Sequence, residues 1–329
     1  MLLLLPYVTA TRFGNAIPTE GLAYPLFLIV IKYLLEGLLR KKTSALIKAF
    51  LLSALLILTR RQFLVFYPLF AMVVIYIYCL APEIYRKHVL LLVLIATVAA
   101  THMMERTCQY LLDGHFRTIP FTGFHLVVAP LFVSRTGDGD FLGEEEQRIV
   151  FEKTHARMAE RGLLKGTAGA GAEFGAILPI DHFYGSYNAI CWSTLLPVLK
   201  EQGIDDWYRI DAITRGMAWT LARRNFRDCL KLYRLNAVRG AGGNGQAILL
   251  ILFMLLAIGY HAVYRNGLSL MAAVVSMLSL GSLLLVALSE PARPRYIAYT
   301  TMLQVCICVI VVFDGFRRQL QERKQQASA

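Results

Sequence analysis

The sequence predicts a mainly α, polytopic α-helical membrane protein with a mostly helical extracytoplasmic domain, and three observations predict it. Hydrophobic residues make up 57% of the 329 positions, and the mean hydropathy of +0.52 is more apolar than a water-facing surface tolerates. The apolar residues are gathered into runs close to the roughly 20 residues that span a hydrocarbon core. The basic residues, which give a net charge of +12, cluster beside those runs.

Seven runs qualify or nearly do: 20–39, 44–59, 62–80, 88–104, 246–264, 268–288 and 295–313. Leu2–Val8 is too short to be an eighth, and it lacks the basic lead and small-residue cleavage site of a signal peptide. It reads as the partial end of a span that begins upstream, so the chain is expected to be a fragment. The expected organisation is an N-terminal transmembrane bundle (1–104), an extracytoplasmic domain with an amphipathic juxtamembrane helix (105–245), a C-terminal transmembrane bundle (246–313) and a basic cytoplasmic tail (314–329).

Charge placement argues against nucleic acid as a partner. Residues 105–245 hold about 17 Lys and Arg against about 16 Asp and Glu, so the excess sits next to the apolar runs, where the positive-inside bias puts it. Arg40-Lys41-Lys42, Arg86-Lys87, and Arg317-Arg318 with Arg323-Lys324 fall on one side of an alternating path, and Arg265 joins them. That side is expected to be the cytoplasm. The protein is therefore expected in the inner (plasma) membrane as a multi-pass chain, with its large domain outside the cytoplasm.

Four arginines oppose the bias: Arg60 and Arg61 between two runs, and Arg293 and Arg295 at the mouth of the last. They either snorkel to lipid headgroups or bind phosphate with their planar forks. Glu20 and Glu290 are expected at the same outer level, where a carboxylate is costly unless it is paired or functional.

Within the external region, Ile119–Val133 is apolar but holds Pro120, Gly123 and Pro130, so it reads as re-entrant or surface-lying. The acids at 144–146 open a helix running to about Arg161, and Lys165–Gly175 reads as a mobile Gly/Ala loop. Ile210, Ile213, Met217 and Leu221 share one face of a basic helix over Asp205–Leu235. That helix is either packed on its own domain or laid on anionic lipid.

Other patterns lead nowhere. Gly240, Gly242 and Gly245 match a dinucleotide-loop spacing but precede an apolar run with no strand before them, so they read as a hinge. Asp138-Gly139-Asp140 starts like a calcium loop but has Leu142 and Ile149 at ligand positions. No metal site is expected, and no cofactor can be named. Cys108, Cys191 and Cys229 leave room for one disulfide at most.

The stretch Pro18-Thr19-Glu20 opening a run, the turn Leu58-Thr59-Arg60-Arg61 followed by Tyr67-Pro68, and Arg295-Tyr296 entering the last run resemble, in order and sidedness, motifs of the GT-C membrane glycosyltransferases. These are relatives of protein mannosyltransferases and of enzymes that sugar lipid A or cell-wall polymers. The resemblance covers the membrane part and not the region 105–240. It implies transfer of a sugar from a polyprenyl-phosphate carrier to a lipid, glycan or protein acceptor outside the cytoplasm, among membrane lipids. Arg60, Arg61, Arg293, Arg295 and Tyr296 would hold the lipid phosphate, and Glu20 would position an arginine or the acceptor hydroxyl. The family's acidic first external loop would precede this sequence, so the chain as written is expected to be inactive unless that loop is supplied. A transporter or flippase and a non-catalytic membrane subunit are the rival classes.

Overall fold

The computed structural model describes residues 18–80, 86–166, 179–292 and 298–314. Every regular element among them is helical. In chain order they are α1 (Pro18–Leu39), α2 (Thr43–Thr59), a 3₁₀ turn (Arg61–Val65), α3 (Phe66–Leu80), α4 (Lys87–Asp113), α5 (Thr122–Leu126), α6 (Val128–Val133), a second 3₁₀ turn (Thr136–Phe141), α7 (Glu145–Glu160) and α8 (Pro179–Ile190). A π-helical turn (Cys191–Leu195) follows, then α9 (Leu196–Glu201), α10 (Trp207–Arg224), α11 (Phe226–Gly240), α12 (Asn244–Tyr264) and α13 (Gly267–Ser289), and finally α14 (Ala298–Asp314).

Among the described residues, five segments are long and apolar enough to cross a membrane: Gly21–Leu39, Arg61–Leu80, Lys87–Asp113, Asn244–Tyr264 and Gly267–Ser289. The two remaining expected runs form shorter apolar helices, Thr43–Thr59 and Ala298–Asp314. Many large side chains of these helices stay exposed, among them Leu92, Leu249, Leu256 and Phe313. Such surface suits a lipid solvent, in which backbone polar groups must be satisfied within each helix.

The chain divides into two compact units: residues 1–105, 245–283 and 294–329 form one, and residues 106–244 and 284–293 form the other. In the first unit, close approach is set by small residues, a pattern compatible with packing in lipid. A side chain on Gly37 would meet Leu46, and one on Gly281 would meet Val65. Phe27, Phe63, Phe66 and Tyr299 form an aromatic cluster, with the Phe63 and Tyr299 rings edge-on at 5.4 Å and Phe27 packed against Phe63, Phe66 and Tyr299. Helix α1 ends with Lys42 N–H donating to Gly37 C=O at 3.0 Å, which puts Lys41 in the left-handed region (φ 55°).

The second unit has an ordinary apolar core. Its centre corrects the re-entrant or surface-lying reading of Ile119–Val133, because Phe124, Val127, Val128, Leu131, Phe132 and Val133 are all buried within it. Pro130 sits inside α6, and the chain is divided at Val127. The proline-broken run is too short to span but suffices as two core turns. The single basic helix expected over 205–235 is likewise two, interrupted at Asn225 (φ −104°, ψ 32°). Asn225 spends its amide on Asp138 Oδ2 at 2.6 Å, a tertiary bond that competes with helix continuation. The expected apolar face is the buried one: Ile210, Ile213, Met217 and Leu221 are all nearly inaccessible. This helix packs on its own unit.

Gly123 is where α5 and α10 touch. A Cβ there would lie 2.4 Å from the Asp211 carbonyl oxygen and 2.7 Å from Arg215 N. All three tryptophans lie in this unit, so their fluorescence reports on it. Gly123→Ala should lower the unit's unfolding free energy by about 1–3 kcal/mol through forced separation of the helices. Gly137→Ala, with nothing within 4 Å, should leave the thermal fluorescence transition in place.

Candidate functional site

The arginine turn of the first unit is built by local backbone chemistry. Thr59 Oγ1 donates to Leu56 O at 2.6 Å, and Arg60 then leaves the helix in an extended conformation (φ −155°, ψ 126°). Arg60 C=O accepts from Phe63 N at 3.1 Å to start the 3₁₀ turn. Phe63 and Val65 are buried, so the turn is anchored by its apolar side chains while Arg60 and Arg61 stay partly exposed. The Arg61 guanidinium donates to the carboxylate of Glu105 on α4, whose side chain is 16% exposed. Tyr67, one turn on, brings its buried hydroxyl near Thr101 and Glu105.

Glu105 was invisible as a site residue in the sequence, where it reads as the end of an apolar run. Glu20 lies in the first turn of α1, and its side chain is outside the described residues, as are Arg293, Arg295, Tyr296, the 167–178 stretch of the Gly/Ala loop and the basic tail.

In the second unit the segment 284–292 is tied down by side chains of α8 and α11. Asn236, 2% exposed, donates to Ala287 O and Glu290 O, both at 2.8 Å, and accepts from Ala292 N at 2.9 Å. Tyr184 donates to Ala292 O at 3.1 Å, and Tyr233 to Leu284 O at 3.2 Å. Glu290 is thereby held at a cavity of about 310 Å³.

Tyr187 donates its single hydroxyl proton to Ser289 O at 3.2 Å. Its oxygen lies 2.7 Å from His125 Nδ1, where the imidazole donates or accepts according to its tautomer. Burial is the main influence on His125 and pushes its pKa down, while the Glu290 carboxylate pulls the other way. Burial likewise raises the thiols: Cys191 is pushed far up, and Cys229 reaches about 11, with Asp228 adding to the rise. Cys108, Cys191 and Cys229 are all unpaired thiols, and the buried Cys191 and half-buried Cys229 stay protonated and poorly nucleophilic.

The abortive calcium motif is a structural knot. Asp138 accepts from Arg135 N at 2.9 Å and from Asn225, and it faces Arg224 at 3.8 Å. Gly242 and Gly243, at φ 98° and 121°, end α11, with Gly243 N donating to Val238 O at 2.9 Å. That is a helix stop, not a phosphate loop. His261, within the apolar helices, faces Asn266 O at 3.0 Å and Tyr76 Oη at 3.0 Å, so it fastens the turn after α12. Among the described residues no group of three or more His, Cys, Asp or Glu is placed to hold a metal ion. No protein-family model, curated protein or solved structure matches the chain.

Two outcomes follow. Because His125 is held neutral by burial, the unfolded chain binds the extra proton first, and stability should fall as pH drops below about 6.5. His125→Gln should flatten that dependence in fluorescence-monitored denaturation. Asn236→Ala removes three bonds and leaves two carbonyls and an amide unsatisfied, so it should destabilise the second unit by roughly 2–4 kcal/mol.

Proposed function

We propose that this chain is a membrane glycosyltransferase-like protein that transfers a sugar from a polyprenyl-phosphate carrier to an acceptor. The observation that carries the reading is the Arg60–Arg61 turn. Two adjacent guanidiniums stand at a break between apolar helices, anchored by Phe63 and Val65, and one is oriented by Glu105. A pre-placed cation at such a break suits an anion whose tail is lipid.

In this reading the acceptor oxygen attacks the anomeric carbon. The bond from that carbon to the phosphate oxygen breaks, its electron pair passes to the phosphate, and the acceptor proton passes to the carboxylate of the acidic loop that the resemblance calls for and that has to be supplied. Charge grows on the departing phosphate, and fixed guanidiniums stabilise it without having to reorganise. Glu105 keeps Arg61 from collapsing onto other acceptors. On the family resemblance, Glu20, in the opening turn of α1, is the candidate for positioning an arginine or the acceptor hydroxyl, and Arg293, Arg295 and Tyr296 are further candidates for holding the phosphate. In the same reading the protein lies in a plasma membrane with its second unit on the extracytoplasmic side.

The test, with the family's acidic loop supplied, is transfer from radiolabelled polyprenyl-phosphate hexoses and pentoses to envelope lipid, glycan and protein in reconstituted vesicles. Arg60→Gln and Arg61→Gln should each lower the transfer rate about a hundredfold, the order expected for losing one pre-organised charge-stabilising group. Glu105→Gln should lower it less, with the larger part in kcat. Undiminished transfer in both arginine variants would remove the phosphate site. Solute flux across the vesicle wall without any transfer would instead make the protein a transporter.

A further inference from the structure

The second unit holds a pocket of about 520 Å³ into which Arg106, Arg117 and Arg215 converge, with Asp211 as its single acid. Asp211 is already committed: it is buried, accepts from Gly123 N at 2.6 Å and pairs with Arg215. Among the described residues, Arg106 and Arg117 have no carboxylate within ion-pair reach. Tyr208 and Thr118 add hydroxyls to the same wall. Asp211 matches only Arg215, so Arg106 and Arg117 leave the concavity with an excess of positive charge, and their forks match phosphate or carboxylate oxygens.

Arg215 also lines the 310 Å³ cavity, whose other walls are chiefly apolar: Leu126, Ala129, Phe183, Trp219 and Leu232. An apolar cavity of this size favours an apolar occupant over water. Glu290 lines this cavity and not the basic pocket, so an anion is repelled from the one and drawn to the other.

We propose that the second unit binds an anionic amphiphile, its phosphate-like head on Arg106, Arg117 and Arg215 and its apolar chain in the neighbouring cavity. Arg215, shared by both, sets the junction. Binding here requires no sugar transfer, so the site stands or falls apart from the transferase reading.

Full-length protein in phosphatidylcholine nanodiscs, with empty discs as blank, is titrated with octyl phosphate, inorganic phosphate and octanol while tryptophan emission is followed. Trp219 lies on the cavity wall and reports its occupancy. Octyl phosphate should give a saturable change at concentrations at least tenfold below the other two, and added salt should weaken it. Arg106→Gln and Arg117→Gln, which break no ion pair among the described residues, should each weaken octyl phosphate about tenfold with the melting transition unmoved. Ala222→Leu, which fills the cavity, should weaken octyl phosphate and spare inorganic phosphate. Equal affinity for inorganic and octyl phosphate would show a free-anion pocket and overturn the proposal. Equal affinity for octanol, or indifference to both arginine substitutions, would overturn it as well.

Discussion

The carboxylate of Asp211 and the missing side chain of Gly123 form the contact on which the second unit depends. A buried acid is tolerable only when its oxygens are satisfied, and here a backbone N–H and a guanidinium on its own helix do so. Glycine lets the two backbones come close enough for that bond to form. The same contact fixes α10 against α5, and with it the position of Arg215. That arginine lines both the basic pocket and the apolar cavity, so packing at one glycine governs the geometry of both.

The first unit obeys a different economy. Several of its charged or titratable side chains are matched: Arg61 with Glu105, His261 with Tyr76 and a backbone carbonyl, Glu36 with Arg40 and Lys42. In an apolar solvent an unmatched group would be expensive. The pairing of Arg61 has a functional reading because its turn is rigidly seated, whereas His261 is accounted for by the turn it closes.

Asn236 shows how a short connection becomes part of a domain. The segment 284–293 belongs to the second unit because one buried amide makes three bonds to its backbone and two tyrosine hydroxyls make two more. Through that segment Glu290 reaches the cavity and acts electrostatically on His125. Composition alone marks Asn236 as one more polar residue on a basic helix.

Periodicity and hydropathy made the helical class legible, along with the apolar runs, the helix over 145–160 and the buried face of Ile210, Ile213, Met217 and Leu221, because each follows from the 3.6-residue repeat and from transfer to an apolar medium. The Arg60–Arg61 pair was also legible, since charge beside an apolar run stands out in any sequence. The burial of 119–133, the break at Asn225, the partnership of Glu105 with Arg61, and the convergence of Arg106, Arg117 and Arg215 were decided only by the tertiary structure. Each joins residues far apart in the chain through a contact that depends on shape, and a linear pattern of residue types carries no record of which faces meet.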